Sequence, residues 1–441
     1  MLLKPDVLLK QLAIALPLID SLLQGLLSSR WKKLWKYVPG LNLMYYDFRN
    51  IFSIDHIAFL SFVDRFLGFN TQSCLQSFRL EYDSSDYGEP GDALTRRWIN
   101  SVVRRKVKYL YLSDYSCDAY YDVQMPPTIY TCESLVSLTL SGLNLPSPKF
   151  VSLPSLKVIS LVVIKFADED DLALETLISH CPVLESLSIE RSFIDDIEVL
   201  RVCSQSLLSF THIADGSEGL VEDLLVIVDA PRLKFLNLRD QRTASFILKD
   251  LASLVDADID TVFNLKLNKM FDPNDLQKRN MIRNFLVGIS NIKNLTIASP
   301  TLEVIYDYSR CEPLPLFRNL SSLRVDFDGY RWEMLPVFLE SCPNLQSLVM
   351  GSTNYPEKDG INILSEPRRV LSSSLKYVKI ERPLKGEEME MKLVSYILEN
   401  STGLKKLTLC LDDSIKKEES VIFRELITIP RLSTSCQVVV L

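Results

Sequence analysis

The chain has 441 residues, of which 47% are hydrophobic, 24% charged and 9% aromatic, an ordinary make-up for a folded soluble protein. Its net charge of −7 weighs against a nucleic-acid binder, whose footprint is a basic face. Only 14 glycines leave little room for phosphate-cradling loops or long flexible linkers, and the length fits several domains or one elongated repeat array.

In chain order, the first apolar run is LAIALPLI (Leu12–Ile19). It has the length of a signal-peptide core, but Asp6 precedes it, Asp20 ends it and no small-residue cleavage site follows. A membrane span needs about 20 apolar residues, and the sequence contains no such run. Two short amphipathic helices split near Pro17 are expected instead. They lead into SSRWKKLW (Ser28–Trp35), where Trp31 and Trp35 stand at i, i+4 and share one helix face. The basic segment RRWINSVVRRKVK (Arg96–Lys108) reads as a helix with Leu94, Trp98, Ile99, Val102 and Val103 inward and its arginines in water.

The 9 cysteines are scattered, with no C-x-x-C pair, as expected of reduced thiols in the cytosol or nucleus. Cys181 and Cys342 share one local context, HCPVLESL and SCPNLQSL, which predicts buried packing rather than reactivity. His56, His180 and His212 are too far apart in sequence to suggest a zinc site, so no metal is expected.

The dominant signal is a repeat. An L-x-x-L-x-L pattern recurs as LQSFRL (Leu75), VKYLYL (Val107), LVSLTL (Leu135), LKVISL (Leu156), LESLSI (Leu184) and LKFLNL (Leu233). It continues as LVDADI (Leu254), IKNLTI (Ile292), LSSLRV (Leu320), LQSLVM (Leu345), LKYVKI (Leu375) and LKKLTL (Leu404), with a blurred copy near Leu207. The steps are mostly 21 to 32 residues, close to the leucine-rich-repeat period. The step from Leu254 to Ile292 is longer and must hold an insertion.

In L-x-L the two apolar side chains fall on one face of a strand and the middle one on the other. One such strand cannot bury its face alone, so copies stack in parallel around a shared core. Helical patterns separate them, at Asp168–His180, Asp272–Leu286 and Arg331–Ser341. Regular repeats carry Asn or Cys three places after the last apolar position. Here those places hold Leu143, Ile164, Ser192, Asp328 and Asp412, so that ladder is absent and the array should be irregular. The middle residues line the face expected to meet a partner. Candidate contacts there are Arg79, Tyr111, Asn237, Asp258, Arg324 and Lys379, accompanied by Thr139, Ser160, Ser188, Thr296, Val349 and Thr408. The row lacks the dense Arg/Lys cluster a phosphate-rich ligand requires, which favours a protein partner.

The segment KPDVLLKQLAIALPLIDSLLQGLLSSRWKKLW (Lys4–Trp35) resembles the F-box of plant F-box proteins. The matching positions are Pro5, Asp6, Leu8, Leu9, Pro17, Asp20, Leu27, Ser28, Arg30, Trp31, Leu34 and Trp35, and YVPGLNL (Tyr37–Leu43) extends the match. Lys4, Gln24 and Gly25 depart from the pattern. Glu366–Leu409 and the ending IPRLSTSCQVVVL (Ile429–Leu441) resemble the FBD region, with Met389, Leu393, Tyr396 and Ile397 on one helix face.

The resemblance covers nearly the whole chain. It implies an α/β protein with an N-terminally shortened helical F-box (1–45), an irregular leucine-rich-repeat solenoid (46–362) and an FBD region (363–441) that continues it. It also implies a substrate-recognition subunit of a Skp–cullin–F-box ubiquitin ligase, in the nucleus or cytoplasm. The partners would be a Skp-type adaptor, a cullin held through it, and a protein substrate, with neither nucleic acid nor membrane. Pro5, Leu8, Leu9 and Leu12 would lie at the adaptor surface, and Trp31 and Trp35 in the helical core or at its edge. No cofactor and no catalytic residue are expected, and no G-x-S-x-G, H-E-x-x-H or P-loop motif occurs. The alternative reading is a repeat-only binding module whose F-box does not dock.

Overall fold

The computed structural model describes residues 39–44, 56–68, 74–83, 90–115, 123–166, 172–191, 198–214, 224–240, 245–265, 271–327, 334–353, 374–411 and 419–441. The expected F-box helices, and with them Pro5, Leu8, Leu9, Leu12, Trp31 and Trp35, lie outside these residues. The chain is mixed α/β and forms two compact units, Met1–Thr211 and His212–Leu441. Each recurring hexapeptide contributes one strand, beginning at its third residue.

In the first unit the strands are β1 (Gly40–Met44), β2 (Ser77–Tyr82), β3 (Tyr109–Asp114), β4 (Ser137–Ser141), β5 (Asn144–Leu145), β6 (Val158–Val162), β7 (Lys165–Phe166), β8 (Ser186–Arg191), β9 (Val199–Cys203) and the start of β10 (Ser209–Ala214). β1, β2, β3, β4, β6 and β8 pair in that order, all parallel. Period-2 alternation sends Phe78, Leu80, Leu110, Leu112, Leu138, Leu140, Ile159 and Leu161 into the core, and Leu75 is buried just ahead of β2.

Helices α1 (His56–Gly68) and α2 (Pro90–Arg104) pack together, burying Phe59, Val63, Trp98, Ile99 and Val102. Trp98 donates its indole N–H to Asp64 at 2.7 Å, and its ring meets Tyr82 edge-on at 6.2 Å. The expected wet arginine face holds for Arg96, Arg97 and Arg104 but not for Arg105, which is buried. The helix ends at Arg104, and Lys106 takes φ 54°, which turns Arg105 inward with its guanidinium 5.7 Å from the Phe66 ring. Helix α3 (Ala173–Ser179) falls within the helical pattern read between Leu156 and Leu184.

In the second unit β12 (Phe235–Asp240), β14 (Asp256–Thr261), β15 (Asn294–Ile297), β16 (Ser322–Phe327), β17 (Ser347–Thr353), β18 (Tyr377–Leu384), β19 (Lys406–Leu411) and β20 (Gln437–Val440) form a parallel run in that order. β11 (Leu225–Asp229) and β13 (Ser245–Lys249) pair separately. The long step after Leu254 contains helix α4 (Leu276–Gly288), capped by Asp275, whose carboxylate accepts from the Lys278 N–H at 3.0 Å. Helices α5 (Ser299–Ser309), α6 (Met334–Glu340), α7 (Glu388–Asn400) and α8 (Glu419–Thr428) lie in the β15–β16, β16–β17, β18–β19 and β19–β20 connections. On α7, Leu393, Tyr396 and Ile397 are buried, as their spacing predicts. Its first turn is held by Glu390, which accepts from the N–H groups of Lys385, Gly386 and Glu387 at 2.7, 2.8 and 3.1 Å.

In three repeats the Asn ladder absent from its usual place has a substitute just before the first leucine. Ser134 donates to the Val107 carbonyl at 3.0 Å, Ser206 to Leu184 at 2.8 Å, and Ser374 to Leu345 at 2.8 Å. Each bond satisfies the carbonyl at the first apolar position of the preceding repeat, a buried group that would otherwise cost about 1–3 kcal/mol. Asn344 makes a related bond to the Arg318 carbonyl at 2.8 Å. Cys181 and Cys342 are buried, and burial pushes both thiols up to about 12, so they pack and do not react near neutral pH. Among the described residues no helix is long and apolar enough to cross a membrane.

Candidate functional site

The middle residues of the L-x-L triplets stand in register across each unit. In the first, Asn42, Arg79, Tyr111, Thr139, Ser160 and Ser188 form one continuous row. In the second, the row is Asn237, Asp258, Thr296, Arg324, Val349, Lys379, Thr408 and Val439. All of them point away from the apolar core, because the flanking residues of each triplet point into it.

The first row brings Arg79 and Tyr111 together, with the guanidinium carbon 3.9 Å from the ring centroid, a cation–π stack. Glu81 organises this pair. Its side chain is only 8% exposed and accepts from Arg79 through Nε at 3.1 Å and Nη2 at 2.5 Å. Its other oxygen accepts from the Tyr115 hydroxyl at 2.8 Å. That bond to Glu81, followed by burial, raises the Tyr115 pKa. Tyr115 stays 43% exposed, so one buried carboxylate anchors it and the Arg79–Tyr111 stack at the surface, and Tyr109, 51% exposed, shares their face. Rigid tyrosines among serines give contact area at low entropic cost, and Ser137, Thr139, Ser160 and Ser188 continue the same face.

In the second row Asn237 and Asp258 are register partners, and Asp258 pairs with Arg239 at 3.3 Å. Arg324 and Lys379 lie either side of Val349 and converge on Glu381, at 2.7 and 2.9 Å. These two bonds, that from Lys379 first, hold the Glu381 carboxyl below its ordinary pKa. Arg324 reaches Glu381 by crossing β17 at Gly351. A Cβ at Gly351 would sit 2.6 Å from Arg324 Nη2 and closer still to Asp326 Oδ1. Gly351→Val should therefore displace Arg324. Glu381 would keep Lys379 alone, and its pKa should rise toward the usual carboxylate value in an NMR titration. Stability should change by less than about 1 kcal/mol, as for exposed ion pairs. An unmoved Glu381 pKa would refute the crossing.

Glu81, Tyr109, Tyr115, Arg239, Asp256, Asp260, Asp326 and Glu381 are absent from the sequence-derived face. The signal for most of them is the same alternation taken one step further, since residues two positions from each middle residue share its face.

A family model described as "FBD-associated F-box protein At5g56370, LRR repeats" matches residues 95–249, and one described as FBD matches residues 365–409. The chain is 73% identical over 439 residues to "F-box/FBD/LRR-repeat protein At1g78750" of Arabidopsis thaliana, covering 99% of this chain and 95% of that one. The chain belongs to the plant F-box/FBD/LRR-repeat family. Two further Arabidopsis thaliana members are "F-box/LRR-repeat protein 13", 63% identical, and "FBD-associated F-box protein At4g13985", 54% identical. Each alignment covers 99% of this chain and 95% of the relative. The faces described above thus belong to an F-box/FBD/LRR-repeat protein, and the repeat match spans the strands that carry Tyr111 to Asn237.

Proposed function

We propose that this F-box/FBD/LRR-repeat protein is the substrate-recognition subunit of a Skp–cullin–F-box ubiquitin ligase in the nucleus or cytoplasm. The observation that carries the reading is likeness along 99% of the chain to proteins named for their F-box and repeats. Residues 1–45 form the F-box, with Pro5, Leu8, Leu9 and Leu12 against a Skp-type adaptor and Trp31 and Trp35 supporting them. Residues 46–362 form an irregular solenoid whose concave face holds a protein substrate through Arg79, Tyr111, Asn237, Asp258, Arg324 and Lys379. Residues 363–441, the FBD region, continue it. The chain itself contributes binding and no catalytic step.

The test is co-expression of the full chain with a Skp-type adaptor, beside Pro5→Ala/Leu9→Asp and a deletion of residues 1–45. Co-purification with the intact chain and its loss in both variants is the expected result. A folded intact chain that fails to co-purify would favour the repeat-only module, a reading motivated by Lys4 and by Gly25 within an expected helix.

A further inference from the structure

The partner face of the second unit is electrically polar. At one end β14 presents three carboxylates, Asp256, Asp258 and Asp260; Asp258 pairs with Arg239, and Asp256 accepts from the Asn294 side-chain amide. Toward the other end β16, β18 and β19 present Arg324, Lys379 and Lys406 against Asp326 and Glu381. β15, next to the acidic strand, offers Asn294 and Thr296, and β17, within the basic group, offers Ser347, Val349 and Gly351, none charged. β14 and β18 are four strand spacings apart, about 19 Å at ~4.8 Å per strand.

Each end also carries an exposed aromatic on one shared rung of the sheet. Phe235 pairs with Asp256, and Tyr377 pairs with Lys406. Their exposures are 50% and 47%. A half-exposed aromatic beside a charge is the composition of a binding anchor. At the acidic end it can also take a cation over the Phe235 ring.

We infer that this face binds a protein segment carrying a Lys/Arg cluster and an Asp/Glu cluster about 19 Å apart, laid across the strands with its basic end on β14 and its acidic end on β18–β19. The inference rests on the substrate-receptor reading and specifies the chemistry of what is received. Register matters more than net charge: a uniformly basic segment meets Lys379 and Lys406, and a uniformly acidic one meets the β14 carboxylates. Like charges placed together this way exclude wrong partners.

The test uses the full chain and three fluorescent peptides of equal length. One has a lysine block and a glutamate block joined by about six Ser/Thr/Gly residues, enough to span ~19 Å when extended. The second is all basic and the third all acidic in its charged positions. In anisotropy titrations the wild-type chain should bind the bipolar peptide at least about tenfold more tightly than either other peptide, with affinity falling as salt rises. Asp256→Lys/Asp258→Lys should transfer the preference to the acidic peptide, and Lys379→Glu/Lys406→Glu to the basic one. Circular dichroism checks that each variant is folded. Where a reversal unfolds the chain, the milder Asp258→Asn, Lys406→Gln, Phe235→Ala and Tyr377→Ala should each weaken the bipolar peptide selectively.

Equal wild-type affinity for the bipolar and basic peptides would overturn the inference, as would variants that shift all three peptides alike. Adaptor co-purification separates the two readings. A chain that binds the adaptor but shows no bipolar preference loses this inference only. One that keeps the preference without binding the adaptor loses the ligase assignment.

Discussion

Asp240→Ala is expected to destabilise the second unit by about 3 kcal/mol. Asp240 and His212 are both buried, at 1% and 0% side-chain exposure, and His212 Nε2 lies 3.1 Å from Asp240 Oδ2. The other ring nitrogen, Nδ1, is buried without a hydrogen-bond partner. A bare lone pair is cheaper to leave unbonded than an N–H, so the proton belongs on Nε2, donated to the carboxylate. Removing Asp240 leaves that N–H stranded beside Phe246, whose ring stands edge-on at 6.2 Å. Hydrogen exchange would show it as roughly a hundredfold loss of protection in β12 and β14. The double variant His212→Leu/Asp240→Leu removes the stranded donor together with its acceptor. It should be less destabilised than Asp240→Ala, and if it is worse, the two side chains are not a coupled pair.

Phe285→Ala should cost about 4 kcal/mol, in the range of large-to-small changes at buried aromatics. Phe285 is buried on α4, its ring centroid 4.9 Å from Phe263 and 6.0 Å from Phe246. Ile282 and Leu286 bury beside it, while Leu276 and Val287 stay exposed on the outer side of the helix. Truncation opens a cavity between α4 and the strands beneath, and backbone atoms on both sides hinder its collapse. Urea denaturation followed by circular dichroism measures the loss. A cost under about 1 kcal/mol would mean that α4 shifts to fill the gap, and that the insertion is an appendage of the repeat core.

Much of the architecture is legible from residue spacing. The leucines of the repeats recur at positions whose burial is forced by period-2 alternation, so strand starts, parallel order and the identity of the face residues follow from counting along the chain. The long step after Leu254 is legible as an insertion, and Asp275 ahead of an apolar-periodic run marks where its helix begins. Other features needed the fold. Arg105 belongs to a basic helical pattern, and only the turn at Lys106 takes it inside. The serine ladder is invisible to a search for Asn or Cys at the usual place, because the bonding group has moved to the residue before the first leucine.

The same division runs through the candidate site. Sequence alone decides that Arg79, Tyr111, Asn237, Asp258, Arg324 and Lys379 share exposed sheet faces, since alternation is a local property of an extended backbone. It also decides the family, through motifs that lie along the chain. Only the tertiary structure decides which of these residues act together. Glu81 joins Arg79 to Tyr115, Glu381 joins Arg324 to Lys379 across Gly351, and Asp240 meets His212 from 28 residues away. The bonds of Tyr115 to Glu81, Arg324 to Glu381 and His212 to Asp240 depend on strand order and register, which bring distant residues within hydrogen-bond reach. No periodicity within a single repeat encodes them.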